Sequence, residues 1–361
     1  MLEYGVTVVG GGPAGLSAAI AAAEMGATVA LIDRQDRLGG QLIKQTHKFF
    51  GSRHERAGTR GIEIARQLAS QVQALSGVHV YLEATALGYY SDSVLTVEHD
   101  GRYRKFLCSN LVVCAGASEK MLLFPNNDLP GIYGAGAVQT LMNVHGVMPG
   151  TDVVMVGAGN IGLIVSYQLR QAQVNVAAVV EAAPRIGGYT VHASKIRRLG
   201  IPILTSHSVK EAHGVDGLEG ITVWRVDSAW RGVPGTERYI ACDALCLAVG
   251  LSPLTELLWQ AGCEMKYVPE FGGHVPVTNH AMETTVPGIF AAGDSAGVEE
   301  ASSAMLTGRL AGLSAARRLG ICPDYDGLRS AAQAELAALR AGPTAAKVRA
   351  GIVRLRGEEK A

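Results

Sequence analysis

The feature that most limits what this chain can fold into is a glycine spacing that occurs twice. Gly10-x-Gly12-x-x-Gly15 follows an apolar run from Tyr4 to Val9, and Gly157-x-Gly159-x-x-Gly162 follows a run from Asp152 to Val156. Each turn leads into a stretch of strong helix formers, Leu16 to Glu24 or Leu163 to Gln171. Each helix gives way to a second apolar run, Thr28 to Ile32 or Val174 to Val180, that ends in an acid, Asp33 or Glu181. Strand, turn, helix and strand make a βαβ unit. In such a unit the first glycine makes the turn, the second lets backbone approach a pyrophosphate, and the third lets helix and strand pack closely. The helix N-terminus presents its partial positive charge to the phosphates, and the acid lies where a ribose hydroxyl would. Even the sequel repeats, Arg37-Leu-Gly-Gly40 after one acid and Arg185-Ile-Gly-Gly188 after the other. The chain reads as two dinucleotide folds.

Composition narrows the partners. A length of 361 residues suggests about two domains. With 48% hydrophobic and 18% charged residues there is apolar surface for two cores and no case for disorder. Lys plus Arg and Asp plus Glu balance at 32 each, which removes the electrostatic footprint of a nucleic-acid binder. The apolar stretch Val6 to Ile32 has no basic flank, follows Glu3, and contains the glycines of the first turn, so no transmembrane segment is expected there. A cytoplasmic location follows by default. The six cysteines, Cys108, Cys114, Cys242, Cys246, Cys263 and Cys322, include no Cys-x-x-Cys pair. No metal or iron–sulfur site is expected of them, and most read as buried small hydrophobes.

Two pyrophosphate cradles suit a hydride donor and a flavin acceptor. Three further segments sharpen this: Leu111-Val-Val-Cys-Ala-Gly116; Asp243-Ala-Leu-Cys-Leu-Ala-Val-Gly250 with Leu-Ser-Pro253; and Thr285-Val-Pro-Gly-Ile-Phe-Ala-Ala-Gly293-Asp294. With them the chain resembles the pyridine-nucleotide–disulfide oxidoreductase superfamily. The resemblance implies an α/β fold with two Rossmann-like domains. The FAD domain would be discontinuous, residues 1–120 and 253–325, with an NAD-type domain, 121–252, inserted and a helical tail, 326–361, following. It implies FAD held by Gly10, Gly12, Pro13, Ala14, Gly15, Asp33, Arg34, Gly40, Gln41, Ala115, Gly116, Gly293 and Asp294, the last bonding the ribityl chain. It implies NAD(H) or another adenine nucleotide at Gly157, Gly159, Asn160, Ile161, Gly162 and Glu181. An acid at that strand end repels a 2′-phosphate, so NAD is expected over NADP.

Disulfide reductases of the superfamily place a redox cysteine pair soon after the first acid or inside the second domain. Here the first region, Gly39-Gly-Gln41-Leu-Ile-Lys-Gln-Thr-His-Lys-Phe-Phe-Gly51, has no cysteine, and Cys242-Asp-Ala-Leu-Cys246 reads as a buried strand. Thiol–disulfide chemistry is not expected, and electrons must leave the flavin by another route. Gly39-Gly40-Gln41-Leu42, the segment Leu129 to Asn143, and Glu299-Glu-Ala-Ser-Ser-Ala-Met305 resemble the α-type flavoprotein subunits of dye-linked amino-acid dehydrogenases. That group includes subunits of proline and hydroxyproline dehydrogenases, opine oxidases, heteromeric sarcosine oxidase and hydrogen cyanide synthase. It implies a β-type flavoprotein partner that oxidises the amine carbon while the α-type subunit handles electrons. Larger members carry a cysteine-rich iron–sulfur segment after the FAD domain, whereas this chain has Cys322 and then an Ala/Leu/Arg tail. A cluster on the electron route would therefore belong to another, small iron–sulfur subunit. Partners of this kind allow a cytoplasmic chain to lie peripheral to a membrane.

Leu328, Leu336 and Leu339 give the tail helical spacing, read as a packed surface helix, with docking as the alternative. His47, His145 and His192 lie in or near glycine-rich connections with no carboxylate beside them in sequence. Lys44 and His47 follow the first dinucleotide edge and are the candidates to border the isoalloxazine. No catalytic residue is assigned, because hydride transfer to a flavin needs positioning rather than a protein nucleophile. Two readings stay open: an electron-transferring FAD subunit of a heteromeric amino-acid dehydrogenase or oxidase, or a stand-alone NADH-dependent flavin reductase, oxidase or ferredoxin reductase. A third is a nucleotide-binding scaffold without turnover.

Overall fold

Glycine and β-branched residues divide the first apolar run in a way its hydropathy does not show. A computed structural model of the chain describes residues 1–49 and 56–357. The run expected as one strand from Tyr4 to Val9 breaks at Gly5. Val6–Val9 enters a five-stranded parallel sheet ordered Ile289–Ala291, Leu111–Val113, Val6–Val9, Val29–Ile32, Val78–Tyr81. Leu2–Tyr4 turns instead into a four-stranded sheet with Arg102–Cys108, Val94–His99 and Ala84–Tyr89. The first four strands of the parallel sheet are buried throughout, as near-continuous Val/Ile/Leu runs require when both faces are covered. The four-stranded sheet supplies Tyr4, Leu95, Val97 and Phe106 to one apolar layer.

Helices cover the other face: Pro13–Glu24, Gly61–Ala74 and Ala301–Arg318. The first begins three residues before the alanine-rich run, because proline is preorganised for the opening turn of a helix. It lies so close to Ala301–Arg318 that a Cβ on Gly308 or Gly312 would collide with the carbonyl oxygen of Ala14 or Ala18. These residues belong to one compact unit, Met1–Ser118 with the described residues from Leu251 onward; a second unit is Glu119–Gly250.

The tail forms two helices, Tyr325–Arg340 and Ala346–Arg356, parted by a single tight turn at Pro343–Ala345. Leu336 and Leu355 are buried, the latter against Val268, Phe271 and Val275. Arg354 makes a two-bond pair with Glu270 at 3.0 and 3.1 Å, and Arg356 donates to the carbonyls of Thr278 and Asn279 at 3.2 and 3.3 Å. The tail is thus fastened to its own unit. The last four tail residues, and Phe50 and Gly51 of the Gly39–Gly51 segment, lie outside the described residues.

The second unit repeats the parallel sheet of the first strand for strand. Its parallel sheet is ordered Ile132–Gly134, Ala244–Leu247, Asp152–Val156, Asn175–Glu181, Ile203–Thr205. A three-stranded antiparallel sheet, His207–His213, Gly220–Arg225 and Arg238–Ala241, accompanies it. The likeness extends to how the outer strand enters each sheet, through Pro130-Gly131-Ile132-Tyr133 in one and Pro287-Gly288-Ile289-Phe290 in the other. Both glycines have left-handed φ values, 108° and 83°. Among the described residues no helix is long and apolar enough to cross a membrane.

Candidate functional site

The two glycine turns share one construction. Gly10 and Gly157 have φ of 107° and 104°, and a Cβ on either would strike a carbonyl oxygen of the strand leaving the sheet, that of Cys114 or Ala248. A Cβ on Gly15 would strike the Gly10 carbonyl, and one on Gly162 the Gly157 carbonyl. The middle glycines differ. A Cβ on Gly12 would meet nothing nearer than Gly40 Cα at 3.8 Å, and one on Gly159 nothing within 4 Å. The outer glycines are required by the fold; the middle ones keep open a space that described protein atoms do not fill. Helices Pro13–Glu24 and Asn160–Gln171 start at these openings with no side-chain cap and no acid in the first turn. Their free N–H groups and dipole suit an anion, so the residues present fit a pyrophosphate.

The strand-end acids hold the turns together. Asp33 accepts the Gly11 N–H at 2.5 Å and the Gln35 N–H at 2.8 Å. Glu181 accepts the Ala158 N–H at 2.7 Å and the Ala183 N–H at 2.8 Å. Each carboxylate thus bonds the residue between the first two glycines of its turn, and an ionised carboxylate retains acceptor capacity beyond two bonds. The repeated Arg-x-Gly-Gly sequel packs beside the middle glycine. A Cβ on Gly40 would lie 2.7 Å from Gly12 Cα, and one on Gly188 2.9 Å from the Gly159 carbonyl carbon.

In the first unit the return strand completes the site. Gly116 donates its N–H to Ser295 Oγ at 2.9 Å, and Ser295 is wholly buried. Gly293 donates to Thr307 Oγ1 at 3.1 Å, and a Cβ on it would lie 2.8 Å from Ala14 Cβ. The Gly10 turn, Ala14, Gly40, Gly116 and Gly293 are therefore brought together, with Asp294 next in chain; Arg34, Gln41 and Ala115 are exposed. Asp294 accepts the Glu299 N–H at 3.3 Å. Burial pushes its carboxyl up to about 6, opposed by that N–H and reinforced by the Glu299 charge. In the second unit Asn160 Oδ1 accepts the Tyr189 N–H at 2.8 Å, and Ile161 is exposed.

His145 ends the helix Ala135–His145, next to Gly146, and His192 lies within the helix Thr190–Arg198, just after Gly187 and Gly188. Burial and the Lys195 charge hold His192 below the usual imidazole range, leaving it neutral at pH 7. Lys44 is buried in the short turn Gly40–Lys44, and His47 stacks on Phe49 at 5.6 Å. Sequence reasoning missed Glu119, whose carboxylate accepts the N–H groups of Gly136 at 2.6 Å and Ala137 at 3.1 Å, capping the helix inside the Leu129 to Asn143 segment. Its partners are 17 and 18 residues away, too far for any local capping pattern. All six cysteines are buried. Burial pushes Cys108 up to about 11 and Cys114 and Cys242 to about 12, and raises the other three, so they are protonated thiols at neutral pH. Among the described residues no cluster of three or more His, Cys, Asp or Glu could hold a metal.

Comparison with known proteins agrees with this geometry. The family model described as pyridine nucleotide-disulphide oxidoreductase matches residues 4–308. An opine oxidase subunit of Agrobacterium tumefaciens is 31% identical over 86% of this chain and 65% of its own length. The HcnB subunit of hydrogen cyanide synthase from Pseudomonas protegens is 28% identical over 87% of this chain and 70% of its own. The chain thus spans about two thirds of the length of these relatives. Among solved structures, thioredoxin reductase of T. acidophilum superposes with a TM-score of 0.73 at 22% identity, covering 88% of this chain and 99% of the other. The chain belongs to the pyridine nucleotide-disulphide oxidoreductase family and is an FAD-dependent oxidoreductase.

Proposed function

We propose that this chain is the electron-transferring FAD subunit of a heteromeric amino-acid dehydrogenase or oxidase, acting on a proline-, hydroxyproline-, sarcosine- or opine-like amine. The observation that carries the reading is an open, uncapped cradle at Gly12 in a chain whose cysteines are all buried and protonated. The flavin site of the family is present without an accessible dithiol to receive its electrons. The similar proteins named as subunits of opine oxidase and hydrogen cyanide synthase support the heteromeric assignment. A β-type flavoprotein oxidises the amine carbon, and a small iron–sulfur subunit is the further partner.

In this reading the backbone of Gly10, Gly12, Pro13, Ala14 and Gly15 holds the FAD pyrophosphate, and Asp33, beside Arg34, accepts a ribose hydroxyl. Gly40, Gln41, Ala115, Gly116 and Gly293 line the path toward Asp294, which accepts a ribityl hydroxyl. FAD, when bound, takes up an electron pair and releases it again. The chain's part is to hold it and orient it, which needs no protein nucleophile. Gly157, Gly159, Asn160, Ile161, Gly162 and Glu181 hold NAD(H) or another adenine nucleotide, and the Glu181 charge disfavours a 2′-phosphate. The intact second turn is also what favours the other reading, a stand-alone NADH-dependent flavin reductase, oxidase or ferredoxin reductase. The setting expected is the cytoplasm, peripheral to a membrane only through partners.

Three outcomes follow. Gly12 has φ −79° and ψ −173°, a conformation any residue adopts, so Gly12→Val should fold normally yet bind FAD at least about a hundredfold more weakly. Gly15→Val should fail to fold, because its side chain would meet the Gly10 carbonyl. Calorimetric titration and circular dichroism of the two variants check this; unchanged FAD affinity in Gly12→Val would refute the cradle. Folding raises the Asp294 pKa above its ordinary 3.8, so the native state holds that proton more tightly. Its contribution is full below pH 4 and is lost as pH rises through about 6, amounting to about 3 kcal/mol. Urea unfolding of the apoprotein from pH 4 to 7 should show that loss, and Asp294→Asn should flatten it; parallel curves would exclude Asp294 as its source. Finally, the isolated chain should not dehydrogenate amino acids until a β-type partner is added. Brisk amine turnover by the chain alone rules out the subunit reading, and rapid anaerobic bleaching of its flavin by NADH selects the stand-alone one.

A further inference from the structure

The family match ends at residue 308, yet the tail beyond it reaches back to the segment that presents Asp294. Arg340, the last residue of helix Tyr325–Arg340, pairs with Glu299 through both carboxylate oxygens, Nε to Oε2 at 3.1 Å and Nη2 to Oε1 at 2.5 Å. Both side chains are mostly withdrawn from water, 17% and 10% exposed. The Glu299 N–H in turn donates to the Asp294 carboxylate. Guanidinium, carboxylate, backbone N–H and carboxylate thus form one chain of contacts from the tail to the residue assigned to the ribityl group.

We infer that Arg340 is a positioning residue for the flavin: by pairing with Glu299 it holds the loop carrying Asp294 and balances the negative charge beside it. This rests on the FAD reading given above. Two features argue for more than a fastening role. The tail has other anchors, the buried Leu336 and Leu355 and the arginines at 354 and 356, so the unit does not depend on Arg340 to keep its tail in place. Between tail and loop lies a small cavity of about 30 Å³, lined in part by Gly293, Gly297, Glu299, Ser303, Arg340 and Arg356. Both members of the ion pair contribute to its wall. Removing one partner of a mostly buried pair leaves an uncompensated charge, here five residues from Asp294.

The test is the midpoint potential and FAD affinity of the full-length chain in three variants and a control. Arg340→Met leaves Glu299 unpaired, so the potential of the bound flavin should fall and FAD should bind at least about tenfold more weakly, equivalent to about 1.4 kcal/mol. Glu299→Gln leaves the cation unpaired, so the potential should rise. The double variant should return close to the wild-type potential. The control, Arg354→Met, breaks a different tail anchor and should leave the potential unchanged. Shifts of opposite sign are the signature of charge balance, and they remain readable from Glu299→Gln and the double variant if Arg340→Met does not fold. Same-sign shifts in the two single variants, an equal shift in Arg354→Met, or no shift at all would overturn the inference. A wild-type chain that takes up no flavin would instead overturn the FAD reading itself.

Discussion

Backbone lying directly on backbone is the contact on which the first unit depends. The Gly10 carbonyl fills the space where Gly15 would carry a Cβ, and Gly10 itself sits against the Cys114 carbonyl. Only glycine permits both approaches, and together they lock helix Pro13–Glu24 onto the sheet at one height and angle. That setting aims the helix N-terminus at the opening beside Gly12. It also brings Ala14 and Ala18 against Gly308 and Gly312, so the last long helix of the family region packs at carbonyl distance. The position of Gly293 against Ala14 follows from the same close approach.

The second unit reuses that solution and then departs from it. Its turn has the same collisions at Gly157 and Gly162 and the same acid-to-turn bond, from Glu181 to Ala158. After its outer strand, however, the helix Ala135–His145 has its N-terminus filled by Glu119.

How much of this was readable in the residues depended on range. The glycine spacing, the acids after the second strand and the Arg-x-Gly-Gly sequel are local, and the structure places them as one construction in each unit. The pairing of Pro130-Gly131-Ile132-Tyr133 with Pro287-Gly288-Ile289-Phe290 was also present in the letters, yet its meaning as a shared outer strand appears only with the sheet order. The break at Gly5 was hidden because hydropathy does not distinguish two strands bound for different sheets from one. Glu119 capping a helix 17 residues on, and Arg340 reaching Glu299 across 41, could not be read at all, since ion pairs and caps at that separation are set by tertiary packing.

The central claim is that one chain carries two separate nucleotide cradles, with FAD in the first. The direct measurement is the nucleotide content released on denaturing the purified chain, compared with that of Gly159→Val. One FAD per chain is predicted in both proteins, with a second, 2′-unphosphorylated adenine nucleotide that the variant alone lacks. Absence of flavin from the wild type, or loss of FAD with the Gly159 substitution, would contradict it.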